Sequence, residues 1–176
     1  MRPLSALNAR RARDVTGLFE FQRRYPALLG IRGLEGDPVH TIDLALRIPT
    51  AVDAEFPQRR RPACRVQIHL PNRYPFEPAQ VSVVDPVFNP NVFPSGTVCL
   101  GGYHQATRPL SDVVLQTMRI IALDPEVINC VSPANGEAAV WYKRQRKGGL
   151  FPTVSLRDFE VRASGGVVFR EAGVST

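Results

Sequence analysis

Apolar residues at 4, 7, 15, 18, 19 and 25 (Leu4, Leu7, Val15, Leu18, Phe19, Tyr25) recur at mixed three- and four-residue spacings, with arginines mostly between them. That pattern predicts an amphipathic helix over residues 4–25, ended by Pro26. The period then drops to two. Ile42, Leu44, Leu46 and Ile48 alternate with Thr41, Asp43, Ala45 and Arg47, and Cys64, Val66, Ile68 and Leu70 alternate with Arg65, Gln67 and His69. Val81 and Val83 make a third short run, and Gly- or Pro-bearing turns separate the three, as in an antiparallel meander with one buried face. Periodicity vanishes over residues 86–109, which hold Pro86, Pro90, Pro94, Gly96, Gly101 and Gly102. A loop of roughly two dozen residues inside a compact domain is as a rule functional or disordered, and Cys99 flanked by Val98 and Leu100 argues against disorder.

A second helix follows over residues 111–123, with Val114, Leu115, Met118, Ile121 and Ala122 on its apolar face and Asp124-Pro125 as its stop. Ser132-Pro133 reads as an N-cap with proline at the first helical position, opening a third helix that runs to Arg146. After Gly148-Gly149 the character changes. Phe159, Val161 and Ala163, then Ser164-Gly165-Gly166, then Val167 and Phe169 fit a small hairpin or a tail that orders on binding a partner. The order of elements predicts an α+β fold: N-terminal helix, antiparallel meander, long irregular loop and C-terminal helices. Residues 1–147 form the expected domain and 148–176 a C-terminal extension.

Composition narrows the setting. The 176 residues, 44% hydrophobic and 22% charged, suit one domain that needs neither disulfide nor structural metal to build its core. No apolar run approaches the length of a membrane-spanning helix, and no apolar h-region follows Met1-Arg2-Pro3, so neither a membrane span nor a secretory signal is expected. Three widely spaced cysteines (Cys64, Cys99, Cys130) point to a reducing compartment, hence the cytoplasm. His40, His69 and His104 do not cluster with them at zinc spacings. The net charge is +6 and the pI 9.8, from 20 arginines and two lysines, Lys143 and Lys147. A GC-rich coding sequence explains such a bias, and so does chemistry that is best kept away from amines. The arginines are scattered without aromatic interleaving, which disfavours nucleic-acid binding.

The loop and its flanks carry the chemistry. In order come Tyr74-Pro75-Phe76-Glu77-Pro78, Asn89-Pro90-Asn91, Val98-Cys99-Leu100 eight residues beyond Asn91, Pro109, a helix ending at Asp124-Pro125, and Ser132-Pro133-Ala134-Asn135-Gly136-Glu137-Ala138-Ala139. Cys99 is the one cysteine in a Gly/Pro-rich loop, where a thiolate can be reached; Cys64 is in phase with the core residues Val66 and Ile68, and Cys130 lies between two helices where partial burial is expected. The succession resembles the ubiquitin-conjugating enzyme family, over residues 4–146.

That resemblance implies an α+β fold with an N-terminal helix, a four-stranded antiparallel meander, a long active-site loop and C-terminal helices, and a thioester on Cys99. The enzyme would take a ubiquitin-like modifier from an activating enzyme and pass it to an amine, so that the partners are the modifier, the activating enzyme and a ligase. No cofactor is implied, because ATP is used by the activating enzyme. By position, Asn91 would donate to the oxyanion, its other reading being an Asn that holds a tight turn. Ser132 would stand near the incoming amine, its other reading being the N-cap above. Arg10, Arg11 and Arg13 fit the face gripped by the activating enzyme, and Phe76, Pro109 and Leu110 the face touched by ring-type ligases. His104 reads as a solvent-exposed loop residue. Asn89 stands where the family has His, Thr107 where many members have Trp, Gly101 where many have Asp and Phe88 where Tyr is common. The missing His of the tripeptide and the arginine bias look more like the prokaryotic relatives, some of which serve bacterial antiphage operons. The competing reading is a catalytically inactive scaffold that binds a ubiquitin-like protein; such relatives generally lose the cysteine, which this chain keeps.

Overall fold

The computed structural model describes residues 3–102 and 104–160. In chain order the elements are α1 (Pro3–Arg24), β1 (Leu29–Glu35), β2 (Thr41–Leu46), β3 (Thr50–Ala51), β4 (Arg60–Arg61), β5 (Cys64–His69), β6 (Gln80–Val83), α2 (Leu110–Ile121) and α3 (Gly136–Gln145). Two short 3-10 turns follow, Arg146–Gly148 and Leu156–Phe159.

The period-two segments pair as one antiparallel sheet in the order β1-β2-β5-β6, with Leu44 opposite Val66 and Val66 opposite Val83. Because side chains alternate across a strand, this register gathers Ile42, Leu44, Leu46, Cys64, Val66, Ile68, Val81 and Val83 on one face. Val15, Leu18 and Phe21 of α1 and Val114, Met118 and Ile121 of α2 join them in the main core. Sequence alternation identifies three of the four strands. The fourth, β1, is an edge strand holding Gly30 and Gly33, with a register shift between Ile31 and Gly33 and only Leu29 fully buried, so no alternation survives to be read.

Between β2 and β5 the chain makes the small β3–β4 ribbon, which buries Phe56. Phe56 belongs to a second cluster with Leu123, Trp141 and Tyr142, against which Phe88, Cys130 and Phe151 pack. The start of the expected extension is therefore part of the fold. Phe151 stacks on Tyr142 at 4.8 Å between ring centroids, Thr153 N donates to Ala122 O at 2.7 Å, and Glu160 pairs with Arg24. The expected hairpin around Ser164-Gly165-Gly166 lies outside the described residues.

Three local expectations are corrected. Phe19 is 44% exposed, and Phe21 takes the core position on α1. α2 ends at Ile121, short of Asp124-Pro125, because buried Leu123 adopts φ 57° and turns the chain away. Ser132 is not the cap of α3: Asn135 is, its side chain accepting from Ala138 N at 3.1 Å. The helix starts late because Ala134 N and Asn135 N are held by Pro90 O, at 2.8 and 3.2 Å, before helical geometry begins. No helix among the described residues is long and apolar enough to cross a membrane.

Candidate active site

The long loop is irregular but tightly bonded. Val83 N donates to Gly96 O and Val98 N to Val81 O, both at 2.8 Å, which lays residues 96–98 along the free edge of β6. Gly96 sits at φ +90°, and a Cβ there would lie 2.5 Å from Val83 O, so the approach admits no side chain. The segment delivers Cys99 half-buried, reachable from solvent, with its backbone bracketed by one residue. Cys99 N donates to Asn91 O at 2.7 Å, and Asn91 Nδ2 donates to Cys99 O at 3.2 Å.

Asn91 is only 4% exposed, and its amide is fully engaged. Its second Nδ2 proton goes to Val127 O at 3.3 Å, and its Oδ1 accepts from Asn129 N at 2.8 Å. Asn89 supports it from behind: Oδ1 accepts from Asn91 N at 2.9 Å, while Nδ2 donates to Ile120 O at 2.7 Å. An asparagine thus fastens this loop to the end of α2 at the position where the resemblance implies a histidine. The bonds from Asn91 Nδ2 are the long ones of the set, and in this conformation neither proton is free for an oxyanion.

On the far side of Asn91 the loop between α2 and α3 carries Ser132, which is exposed beside the 98%-exposed Val131. Asn129 Oδ1 accepts from Val131 N and Ser132 N, both at 3.0 Å, and its Nδ2 donates to Ser132 O at 3.1 Å. Cys99, Asn91, Asn129 and Ser132 therefore form one hydrogen-bonded succession.

The other cysteines have different environments. Cys64 is buried in the sheet, and desolvation pushes its thiol up to about 12. Burial also raises the Cys130 thiol, against the opposing pull of Lys143 and Arg146. His104 is exposed and donates from Nε2 to Pro75 O at 2.7 Å, joining the loop after Cys99 to the Tyr-Pro-Phe turn.

Of the expected partner residues, Phe76 is 66% exposed and Pro109 is exposed. Leu110 is not: it is fully buried as the first residue of α2, in helical phase with Val114, Thr117, Met118 and Ile121. Arg11 is 4% exposed, with Nη1 and Nη2 donating to Val39 O at 3.2 Å and Pro71 O at 2.6 Å. Arg10 is also committed inward, to Asp14 at 2.7 Å and to the carbonyls of Ala106 and Arg108 at 2.9 and 2.8 Å. These two arginines staple α1 to the body of the protein, whereas Arg13 is exposed. Leu7, Arg10, Pro75, Phe76, Ala106 and Thr107 line a groove of about 510 Å³ beside them.

Sequence reasoning missed three supporting groups. Tyr74 Oη donates to buried Asp14 at 2.5 Å, which anchors the Tyr-Pro-Phe turn to α1. Gln116 Nε2 donates to Leu100 O at 2.7 Å, fixing the residue after Cys99. Asn129 is the third. Its signal was present in the sequence as an Asn whose side chain can accept from backbone N–H groups two and three residues on, the usual Asx pattern. The other two join residues distant in sequence and left no such mark.

Known proteins give an independent reading of these residues. The family model described as "Ubiquitin-conjugating enzyme" matches residues 61–149, which include Phe76, Asn91, Cys99, Asn129 and Ser132 but not α1. The chain is 36% identical over 85 residues to "Ubiquitin-conjugating enzyme E2 2" of Neurospora crassa, an alignment covering 47% of this chain and 54% of that protein. With the protein of the same name from Candida albicans it is 37% identical over 84 residues, covering 47% and 45%. With that of Fusarium solani it is 36% identical over 85 residues, covering 47% and 54%. The chain spans about half the length of the curated relatives it matches.

Proposed function

The chain belongs to the ubiquitin-conjugating enzyme family, and we propose that it takes a ubiquitin-like modifier from an activating enzyme as a thioester on Cys99 and transfers it to an amine. The observation that carries this reading is the setting of Cys99. It alone of the three cysteines lies in the bonded, solvent-reachable loop, with its backbone bracketed by Asn91, while Cys64 is buried and burial raises the thiols of both others.

The chemistry is two acyl transfers. The Cys99 sulfur attacks the modifier's terminal carbonyl carbon, a new C–S bond forms, and the activating enzyme's sulfur leaves as thiolate. The acceptor nitrogen then attacks the same carbon, C–N forms, Cys99 leaves as thiolate, and the ammonium proton passes to solvent. A thioester is already activated toward amines, so no general base beside the thiol is required. Asn91 holds Cys99 in place in the ground state; to stabilise the oxyanion it turns one of its two long Nδ2 bonds away from Cys99 O or Val127 O. Ser132, free of capping duty, orients the incoming amine. ATP is consumed by the activating enzyme and this chain uses no cofactor.

For docking, Arg13 supplies the charge on α1, Pro109 is an exposed surface position, and Phe76 lines the apolar groove offered to the activating enzyme or a ligase. A bacterial antiphage setting belongs to the same proposal, resting on Asn89 and the arginine bias. It is tested by whether an activating enzyme and a ubiquitin-like protein encoded beside this chain charge it.

The decisive experiment mixes the chain with activating enzyme, modifier and ATP and resolves the products on a non-reducing gel. A shifted band that reductant removes and Cys99→Ala abolishes is the expected result. Cys99→Ser should trap a reductant-stable oxyester. A band that persists in Cys99→Ala overturns the mechanism.

A further inference from the structure

We infer that Asn129 is a positioning residue for the amine-transfer step, acting through Ser132. This rests on the thioester reading above and extends it to a residue that reading does not use. The loop from α2 to α3 is pinned at two places. At its start, Asn129 N and Val127 O are bonded to the Asn91 side chain at 2.8 and 3.3 Å. At its end, Ala134 N and Asn135 N are bonded to Pro90 O at 2.8 and 3.2 Å. Residues 130–133 bulge between these pins, and among the described residues no backbone–backbone hydrogen bond closes them. What shapes the bulge is the Asn129 side chain, through its bonds from Val131 N and Ser132 N at 3.0 Å and to Ser132 O at 3.1 Å.

The two halves of Asn129 do different jobs. Its backbone N–H is the part tied to Asn91, so any side-chain substitution leaves that bond, and the bracket on Cys99, in place. Its side chain fixes both peptide groups of Ser132 and hence the direction of the Cα–Cβ bond that carries the hydroxyl. Removing the side chain therefore releases Ser132 without releasing Cys99. Asn129 is exposed, so its bonds compete with water, and the expected loss is about fivefold to tenfold in rate rather than complete.

The test charges each protein on Cys99, stops activation by chelating magnesium, and follows discharge of the thioester to free lysine and, separately, to hydroxylamine. Asn129→Ala should reach the wild-type thioester yield and discharge to hydroxylamine at the wild-type rate, since that small nucleophile needs no orienting. It should discharge to lysine about fivefold to tenfold slower. Asn129→Asp, which keeps both acceptor bonds and loses the donated one to Ser132 O, should recover part of the lysine rate. In a Ser132→Ala background, Asn129→Ala should add little, because the two act in series. Wild-type discharge to lysine by Asn129→Ala overturns the inference alone. So does an equal slowing with hydroxylamine, which marks general loop damage, and so does a fully additive double variant. Failure of the wild-type chain to form any thioester overturns the proposed function and this inference with it.

Discussion

Substituting Gly96 by alanine should cost about 2–3 kcal/mol of stability and displace the loop that presents Cys99. Two costs combine. Gly96 sits at φ +90°, a conformation that costs a residue with a side chain about 1–2 kcal/mol. The new Cβ would also stand 2.5 Å from Val83 O, well inside contact distance. Relief requires the loop to lift off β6, where Val83 N to Gly96 O and Val98 N to Val81 O are both 2.8 Å, and losing one such bond costs about 1 kcal/mol more. Gly101 supplies an internal control, because it has the same φ of +90° with nothing within 4 Å of a built Cβ. Gly101→Ala should therefore pay only the conformational cost, and Gly102→Ala, with no positive φ and the same open surroundings, close to none. Urea unfolding of the three variants measures the stabilities, and charging of Cys99 reports the position of the loop. Equal destabilisation by Gly96→Ala and Gly101→Ala would refute the reasoning, since it would mean that contact with the Val83 carbonyl is not what fixes the loop.

Burial pushes the Cys64 thiol up to about 12 from an ordinary 9.0, so in that interval the unfolded chain ionises while the folded one does not. The group's contribution is whole below pH 9 and is lost as pH rises toward 12, by up to about 1.4 kcal/mol per pH unit. Cys64→Val should flatten that part of a stability-versus-pH curve; an unchanged slope would exclude Cys64 as its source. Arg11→Ala should lower stability by about 1–3 kcal/mol by unpairing the carbonyls of Val39 and Pro71. Arg13→Ala should leave stability within about 0.5 kcal/mol and instead slow charging in a salt-sensitive way; the opposite pattern in urea melts and charging assays would sink the assignment. Phe76→Ala should melt like the wild type yet lose ligase-stimulated transfer, while Leu110→Ala should cost about 2–5 kcal/mol through a core cavity. A Phe76 variant that unfolds early would mark that ring as structural.

Much of the fold was legible because one-sided burial writes its own period. Strands β2, β5 and β6 bury alternate residues, and the sequence alternates with them. β1 was not legible because its two glycines and its register shift leave no side-chain pattern. Within the site, the spacing from Asn91 to Cys99 was readable because both residues serve one local bracket. Arg11 was not legible as an inward residue because its charge masks its helical phase, whereas Arg13 is exposed as its charge suggests. Arg11 and Asp14 share the buried stripe with Val15, Leu18 and Phe21, and Leu110 shares one with Val114 and Met118. Counting phase first would have placed all three inward.

The sequence by itself determined the order of elements, the apolar face of the sheet and the place of Cys99 as the cysteine of the long loop, since these depend on periodicity and on short stretches of chain. Only the tertiary structure decided that Arg10 and Arg11 are staples, that Ser132 is not a helix cap and that Asn91 reaches Asn129. Those outcomes depend on hydrogen-bond partners 28 to 98 residues away in the chain. A donor's partner is chosen by which unpaired carbonyl or amide the packed core happens to bring within about 3 Å. No local pattern along the chain encodes that distance.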